Sequence, residues 1–157
     1  MARTAYQYAL SLLSSRGYTI RNLRRKLVQK AFDADEIEQV IARLVDARYV
    51  DDQQYALEYA RQKLVSGGSS VRRVEQDLAR RGVNADEIRV AVESVMEDGD
   101  VDISRSIERA ARKKLASMSD LDIDVRRRRL FGFLARAGFE ASDVRRVVAE
   151  TLPRGNH

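Results

Sequence analysis

Residues 20–44 read I-R-N-L-R-R-K-L-V-Q-K-A-F-D-A-D-E-I-E-Q-V-I-A-R-L. A basic amphipathic segment ends at the small–apolar pair Ala31-Phe32. The capping residue Asp33 follows, with Glu36 three places on, and a second amphipathic segment begins. The pattern returns 51 residues later: Leu78 stands for Leu27, Gly82-Val83 for Ala31-Phe32 and Asn84 for Asp33. Glu87, Ile88, Val92 and Val95 then stand for Glu36, Ile37, Ile41 and Leu44. It returns more loosely after a further 56 residues, at Leu134, Gly138-Phe139, Glu140, Asp143, Val144 and Val148. Self-similarity at a period near fifty is the signature of a repeat architecture.

Working outward, the helical period sets nine helices. The first is expected over 5–16 with Tyr6, Ala9, Leu10 and Leu13 inward, closed by Gly17 as a left-handed cap. Thr19 caps the second, whose apolar face is Ile20, Leu23, Leu27 and Val28. Asp33 with Glu36 resembles a capping box and opens the third, which buries Ile37, Val40, Ile41 and Leu44. Val50 precedes the cap candidate Asp51, and the fourth helix carries Tyr55, Ala56, Tyr59, Ala60 and Leu64, the two tyrosines being read as core. Gly67-Gly68 breaks it. Ser70 caps the fifth helix (71–81) and Asn84 the sixth (85–97).

The acidic stretch Glu97-Asp98-Gly99-Asp100 is the expected joint before the seventh helix, with Ile103, Ile107, Ala110, Ala111 and Leu115 inward. Residues 117–124 are expected as a longer loop. The eighth helix (125–137) turns Leu130, Phe133 and Leu134 inward, and the ninth (142–152) ends at Pro153. At the ninth helix Glu140 occupies the cap register, with Ser142 as its substitute. The fold class is therefore all-α: three tandem three-helix repeats, at 1–50, 51–99 and 100–157, in an elongated, curved array with a short frayed C-terminal tail.

Composition narrows the function. The 157 residues are 34% charged and 44% hydrophobic, with 8 Gly, 1 Pro and no Cys. Such a chain is globular, and the lack of Cys removes disulfide, thiolate and cysteine-ligated metal chemistry. No apolar run follows positive charge at the N-terminus, so no secretory leader is expected. No stretch approaches the ~18 apolar residues of a membrane span. The single histidine, His157, sits in the tail, so no His-based triad or metal site is expected. No phosphate-binding glycine loop is present. Asp51-Asp52 reads as a helix cap with a first-turn acid. No catalytic, cofactor-binding or metal-ligating residue is assigned, and no enzyme activity is expected.

The charge is distributed unevenly. The middle helices of the three repeats carry five, two and five net positive charges, twelve in all; the whole chain carries +5, so everything else totals −7. A basic surface of this kind suits a phosphate backbone or an acidic groove, and arginine suits bidentate contact with either. The candidate partner- or DNA-binding residues are Arg21, Arg24, Arg25, Lys26, Arg72, Arg73, Arg80, Arg81, Arg126, Arg128 and Arg129. Four consecutive helical positions, Arg126 to Arg129, span about 300° of azimuth and cannot share one face. Arg127 occupies the register of Ile20 and Val71, so its stem is expected along the core edge.

The motifs, taken in order, resemble the RecX family of regulatory proteins. They are S-R-G-Y-T-I-R-N-L-R-R-K-L near the N-terminus and the segment from Ala31 to Leu44. Y-V-D-D-Q-Q-Y-A-L-E-Y-A-R follows at 49–61, G-x-x-x-V-x-x-V-E-x-D-L-A-R-R-G-V at 67–83, and F-L-A-R-A-G-F at 133–139. The resemblance covers nearly the whole chain and departs most in the third repeat. It implies a bacterial, cytoplasmic, monomeric protein that binds the RecA–DNA filament and inhibits recombinase, ATPase and coprotease activity. It also implies roles in homologous recombination, DNA repair and the SOS response. The residues alone reach a basic three-unit helical binder. They leave open a direct nucleic-acid binder that presents its basic middle helices in the manner of helix-turn-helix readers, and a scaffold whose charge serves solubility.

Overall fold

The computed structural model describes residues 2–66 and 68–153. The expected frayed tail at 154–157 and Gly67 of the expected break lie outside the described residues. Among the described residues there are nine α-helices and no strand. They are α1 (Ala5–Ser15), α2 (Ile20–Gln29), α3 (Ala34–Asp46), α4 (Asp52–Arg61), α5 (Val71–Arg80), α6 (Ala85–Glu97), α7 (Ile103–Ala116), α8 (Ile123–Arg136) and α9 (Ala141–Thr151). A π-helical turn, Gln62–Ser66, continues α4.

Side-chain caps set most helix starts. Thr19 accepts from the Asn22 N–H at 3.2 Å, Asp51 from Gln54 at 3.1 Å, Ser70 from Arg73 at 3.1 Å and Asn84 from Glu87 at 2.8 Å. Each satisfies an N–H that has no intrahelical partner. Thr4 and Gln7 close a full capping box on α1. The box expected at Asp33 and Glu36 does not close. Asp33 accepts from Asp35, and the Glu36 carboxylate accepts from Ala5, the first residue of α1, at 3.4 Å. Glu140 precedes α9 without a side-chain cap bond. The expected loop over 117–124 is shorter, because Asp122 caps α8 and starts it at Ile123.

Helix ends repeat with the sequence. Ala31, Gly82 and Gly138 adopt φ of 63°, 91° and 97°. The next N–H of each, from Phe32, Val83 and Phe139, returns to Leu27, Leu78 and Leu134 at 3.4, 3.1 and 3.3 Å. These are Schellman closures, which need a left-handed residue. Arg48 and Gly99, 51 apart, turn the corner after α3 and α6 in the same conformation, with φ of 60° and 74°. Gly17 has no positive φ; α1 is closed instead by Arg16 in an extended conformation at φ −164°.

The chain forms two compact units: the residues up to Glu58 with Asp77–Ala91, and Tyr59–Gln76 with the residues from Val92 onward. α4, α5 and α6 each contribute to both. The first unit centres on Ala5, Ala9, Leu23, Leu27, Ile37, Val40, Ile41 and Leu44, with Val50 and Tyr18 at its edge. The second centres on Ile107, Ala111, Leu130, Leu134, Val144, Val147 and Val148, with Met118 and Phe139 closing it. Two expected core residues lie outside. Val28 is 60% exposed because it follows Leu27 by about 100° of azimuth, off the α2 stripe. Ile103 is 43% exposed because it heads α7, a turn before the buried Ser106 and Ile107.

Candidate functional site

Each unit contains one joint between successive helix trios, built the same way. In the first unit the Thr19 hydroxyl caps α2 and donates to the Arg81 carbonyl at the end of α5, at 2.6 Å. In the second the Ser70 hydroxyl caps α5 and donates to the Ala137 carbonyl at the end of α8, at 2.8 Å. Both residues are buried, at 0% and 6% exposure. One hydroxyl thus satisfies an orphan donor of its own helix and an orphan acceptor of the next. The glycine after each carbonyl admits the approach. A Cβ on Gly82 would lie 2.6 Å from Arg21 Cβ, and one on Gly138 would lie 2.7 Å from Ser70 Oγ.

These joints set the basic residues in place. In α2, burial of Leu23 and Leu27 turns Arg21 and Arg25 outward, with Arg24 and Lys26 half-buried beside them. The Arg21 stem lies on Gly82, which brings it beside Arg81. Arg24 is committed to a fork with Glu38, at 2.8 and 3.2 Å. Arg80 pairs with Asp77, and Arg81 bonds the Tyr55 hydroxyl with its guanidinium near the same ring. Among the described residues, no hydrogen bond or ion pair ties the side chains of Arg21, Arg25 and Lys26 to the protein.

In the second unit Arg73 joins Lys113, Lys114 and Arg136 around an open groove of about 660 Å³, with Phe133 and Phe139 in its wall and no carboxylate lining it. Lys114 Nζ stands 5.1 Å from the centre of the Phe133 ring. Gly132 gives room for Arg136 to fold back on α8, since a Cβ there would meet its Nη1 at 2.9 Å. Arg72 sits beside Gly138 and is exposed. Lys113, Lys114 and the two phenylalanines are absent from the sequence-based candidates. Lys113 and Lys114 belong to α7, outside the middle helices to which charge counting pointed; only the register of Phe139 with Phe32 and Val83 hinted at the wall.

The arginine run of α8 divides. Arg128 and Arg129 are exposed, and Arg126 is half-buried with its Nε enclosed and unbonded. Arg127 is half-buried and donates to Asp124 at 3.1 Å and to the Leu152 carbonyl at 3.0 Å, tying α8 to the end of α9. The structure brings Arg21 together with Arg81, and Arg73 with Arg136. It places Arg128 about 200° of azimuth from Arg126 and about 100° from Arg129 toward the start of α8.

Acid groups here serve the scaffold. Asp52 accepts from the Ile20 N–H, the first of α2, at 2.9 Å. Burial pushes its carboxyl above the ordinary value, the Ile20 bond opposes that, and Asp51 adds to it. Glu87 is raised by burial and by Asp52 and Asp51. Among the described residues no group of three or more His, Asp or Glu could hold a metal ion. No described helix is long and apolar enough to cross a membrane.

Comparison with known proteins agrees with this architecture. The first, second and third three-helix domains of RecX match residues 5–44, 51–92 and 102–148. A protein named Regulatory protein RecX from Trichlorobacter lovleyi is 36% identical over 90% of this chain and 92% of its own. One of the same name from a Mycobacterium species is 32% identical, over 94% and 81%. The crystal structure of RecX from Lactobacillus salivarius superposes with a TM-score of 0.71 at 20% identity, over 93% of each chain. A second, titled regulatory protein RecX, gives 0.75 at 20% identity, over 94% of this chain and 70% of the other. The fold, its three helix trios and the relatives' sequences together place this chain in the RecX family of regulatory proteins.

Proposed function

We infer that this protein is a cytoplasmic, monomeric regulator that binds the RecA–DNA filament and inhibits its recombinase, ATPase and coprotease activity, acting by occupancy and not as an enzyme. In this reading the three repeats, 1–50, 51–99 and 100–157, are the units of engagement. The candidate contacts are Arg21, Arg25, Lys26, Arg72, Arg73, Arg80, Arg81, Arg126, Arg128 and Arg129; Arg24 contributes through its ion pair with Glu38. The observation that carries it is a set of cations with no hydrogen bond or ion pair to an acid among the described residues: Arg25 and Lys26 on α2, Arg72 on α5, and Lys113, Lys114 and Arg136 around the groove of the second unit. Leaving such charge unneutralised costs little in water and suits a polyanionic partner.

The same groove favours a second reading, direct contact with single-stranded DNA, because the half-buried Phe133 offers a ring beside cations, the combination that stacks bases and binds phosphates. Titration against DNA alone and against RecA–DNA filaments separates the two. A clear preference for filaments supports the first, and equal affinity refutes it. Under the second, affinity falls roughly 10³-fold or more between 50 and 200 mM salt for about six phosphate contacts. Replacing Arg25, Lys26, Arg72 and Arg73 by Glu is expected to weaken filament binding while the helical circular-dichroism signal persists. Unchanged inhibition of RecA ATPase would remove those four from the contact surface.

A further inference from the structure

The second unit has another groove, between α8 and α9, of which the nucleoprotein reading uses only Arg128. α8 presents Arg127, Arg128 and Phe131, and α9 presents Arg145, Val148 and Leu152, at spacings of three and four residues that put each set on one helical face. The groove is open and encloses about 830 Å³. Its floor is apolar: Val148 and Leu152 are each 6% exposed, and Phe131 stands at the side with 38% of its surface in solvent.

The rim is basic and partly uncommitted. Arg127 is held by Asp124 and by the Leu152 carbonyl. The guanidinium groups of Arg128 and Arg145 have no hydrogen bond or ion pair within the described residues. An apolar trough between two helices with charge along its edge matches the mode in which an amphipathic segment lays its apolar face into a helical groove. Two free guanidinium forks select carboxylates on that segment's polar face.

We propose that the α8–α9 groove docks an acidic amphipathic peptide segment of a partner protein, whose leucine-like and aromatic side chains enter beside Phe131, Val148 and Leu152 while its carboxylates engage Arg128 and Arg145. The chemistry favours a peptide over nucleic acid. The floor is aliphatic, formed by Val148 and Leu152, and suits leucine-like side chains better than stacked bases. This surface is separate from the groove of Arg73 and Lys113, and its test reads peptide binding with no recombinase present, so it stands or falls apart from the function proposed above.

The test is fluorescence anisotropy of the full chain with a short labelled peptide of Asp, Glu and Leu closed by Phe. The control peptide has Ser at every apolar position. The native chain is expected to bind the first peptide at least about tenfold tighter than the control. Joint Arg128→Glu and Arg145→Glu substitution is expected to cost at least about tenfold, and Phe131→Ala a similar factor. The milder pair Arg128→Gln and Arg145→Gln serves if the charge reversal unfolds the third trio, as read by circular dichroism. Equal binding of the two peptides, or full affinity in the Gln pair, overturns the proposal. So does a labelled oligothymidylate that binds through Arg128 and Arg145 where the peptide does not.

Discussion

Replacing Gly82 with alanine tests the joint that sets Arg21 beside the end of α5. Two costs combine. Gly82 has φ +91°, a left-handed conformation in which an L side chain costs about 1–2 kcal/mol. The new Cβ would also fall 2.6 Å from Arg21 Cβ and 2.5 Å from its Cδ. Cδ belongs to a flexible chain and can swing away. Cβ is fixed to the α2 backbone, so α2 or the α5–α6 turn must shift, an overpacking cost of about 1–3 kcal/mol. Together they predict a loss of about 2–5 kcal/mol, large beside the ~5–15 kcal/mol of a typical protein. Urea unfolding followed by circular dichroism would show the midpoint falling by on the order of 1 M. Gly82→Asn separates the causes, since asparagine tolerates the left-handed region but carries the same Cβ. It is expected to retain the overpacking cost of about 1–3 kcal/mol. A Gly82→Ala loss below about 0.5 kcal/mol, the scale of an ordinary surface substitution, refutes the close joint. Recovery of native stability in Gly82→Asn would assign the whole effect to φ.

Further outcomes follow from the same geometry. Ala31 is exposed in the register of Gly82 and Gly138 at φ 63°, so Ala31→Gly is expected to raise stability by about 1 kcal/mol, read as a rise of about 2–4 °C in Tm. Ser70→Ala removes a buried bond to the Ala137 carbonyl and the α5 cap together, and is expected to cost about 1–3 kcal/mol by urea unfolding. Asp52 has a folded-state pKa above its unfolded one, so the folded state binds its proton first, and this group's contribution falls as pH rises from near 4 through the raised value. Asp52→Asn keeps an oxygen for the Ile20 N–H and removes that dependence. The variant should gain on the native protein as pH rises through this window, and a pH-independent difference in thermal melts would refute the burial account. Leu134→Ala opens the second core and is expected to cost about 2–5 kcal/mol.

Much of the fold was legible in residues 20–44 and their echoes, because the signals are local. Helical periodicity, caps such as Thr19, Asp51, Ser70 and Asn84, and the left-handed stops at Ala31, Gly82 and Gly138 act within about one turn of chain. That is why α6 falls at Ala85–Glu97 as its sequence predicts. The misread positions are those where a distant group competes. Glu36 stands where a capping box would use it and instead serves Ala5; Asp52 is the first-turn acid of α4 that its sequence predicts and also serves Ile20. Gly17 looked like a left-handed stop, but α1 ends through an extended Arg16.

The sequence by itself determined nine helices in three trios and the family they belong to, together with the concentration of positive charge on the middle helix of each. Only the tertiary structure decided which of those charges are spent and which are left over. Arg24 goes to Glu38, Arg80 to Asp77 and Arg127 to Asp124 and Leu152, whereas Arg25, Lys26 and Arg72 have no hydrogen bond or ion pair among the described residues. The hydroxyls of Thr19 and Ser70 reach carbonyls 62 and 67 residues away. Capping and periodicity are fixed by neighbours in the chain. Pairing at such separations depends on where packing sets whole helices, and the same arginine spacing is compatible with either outcome.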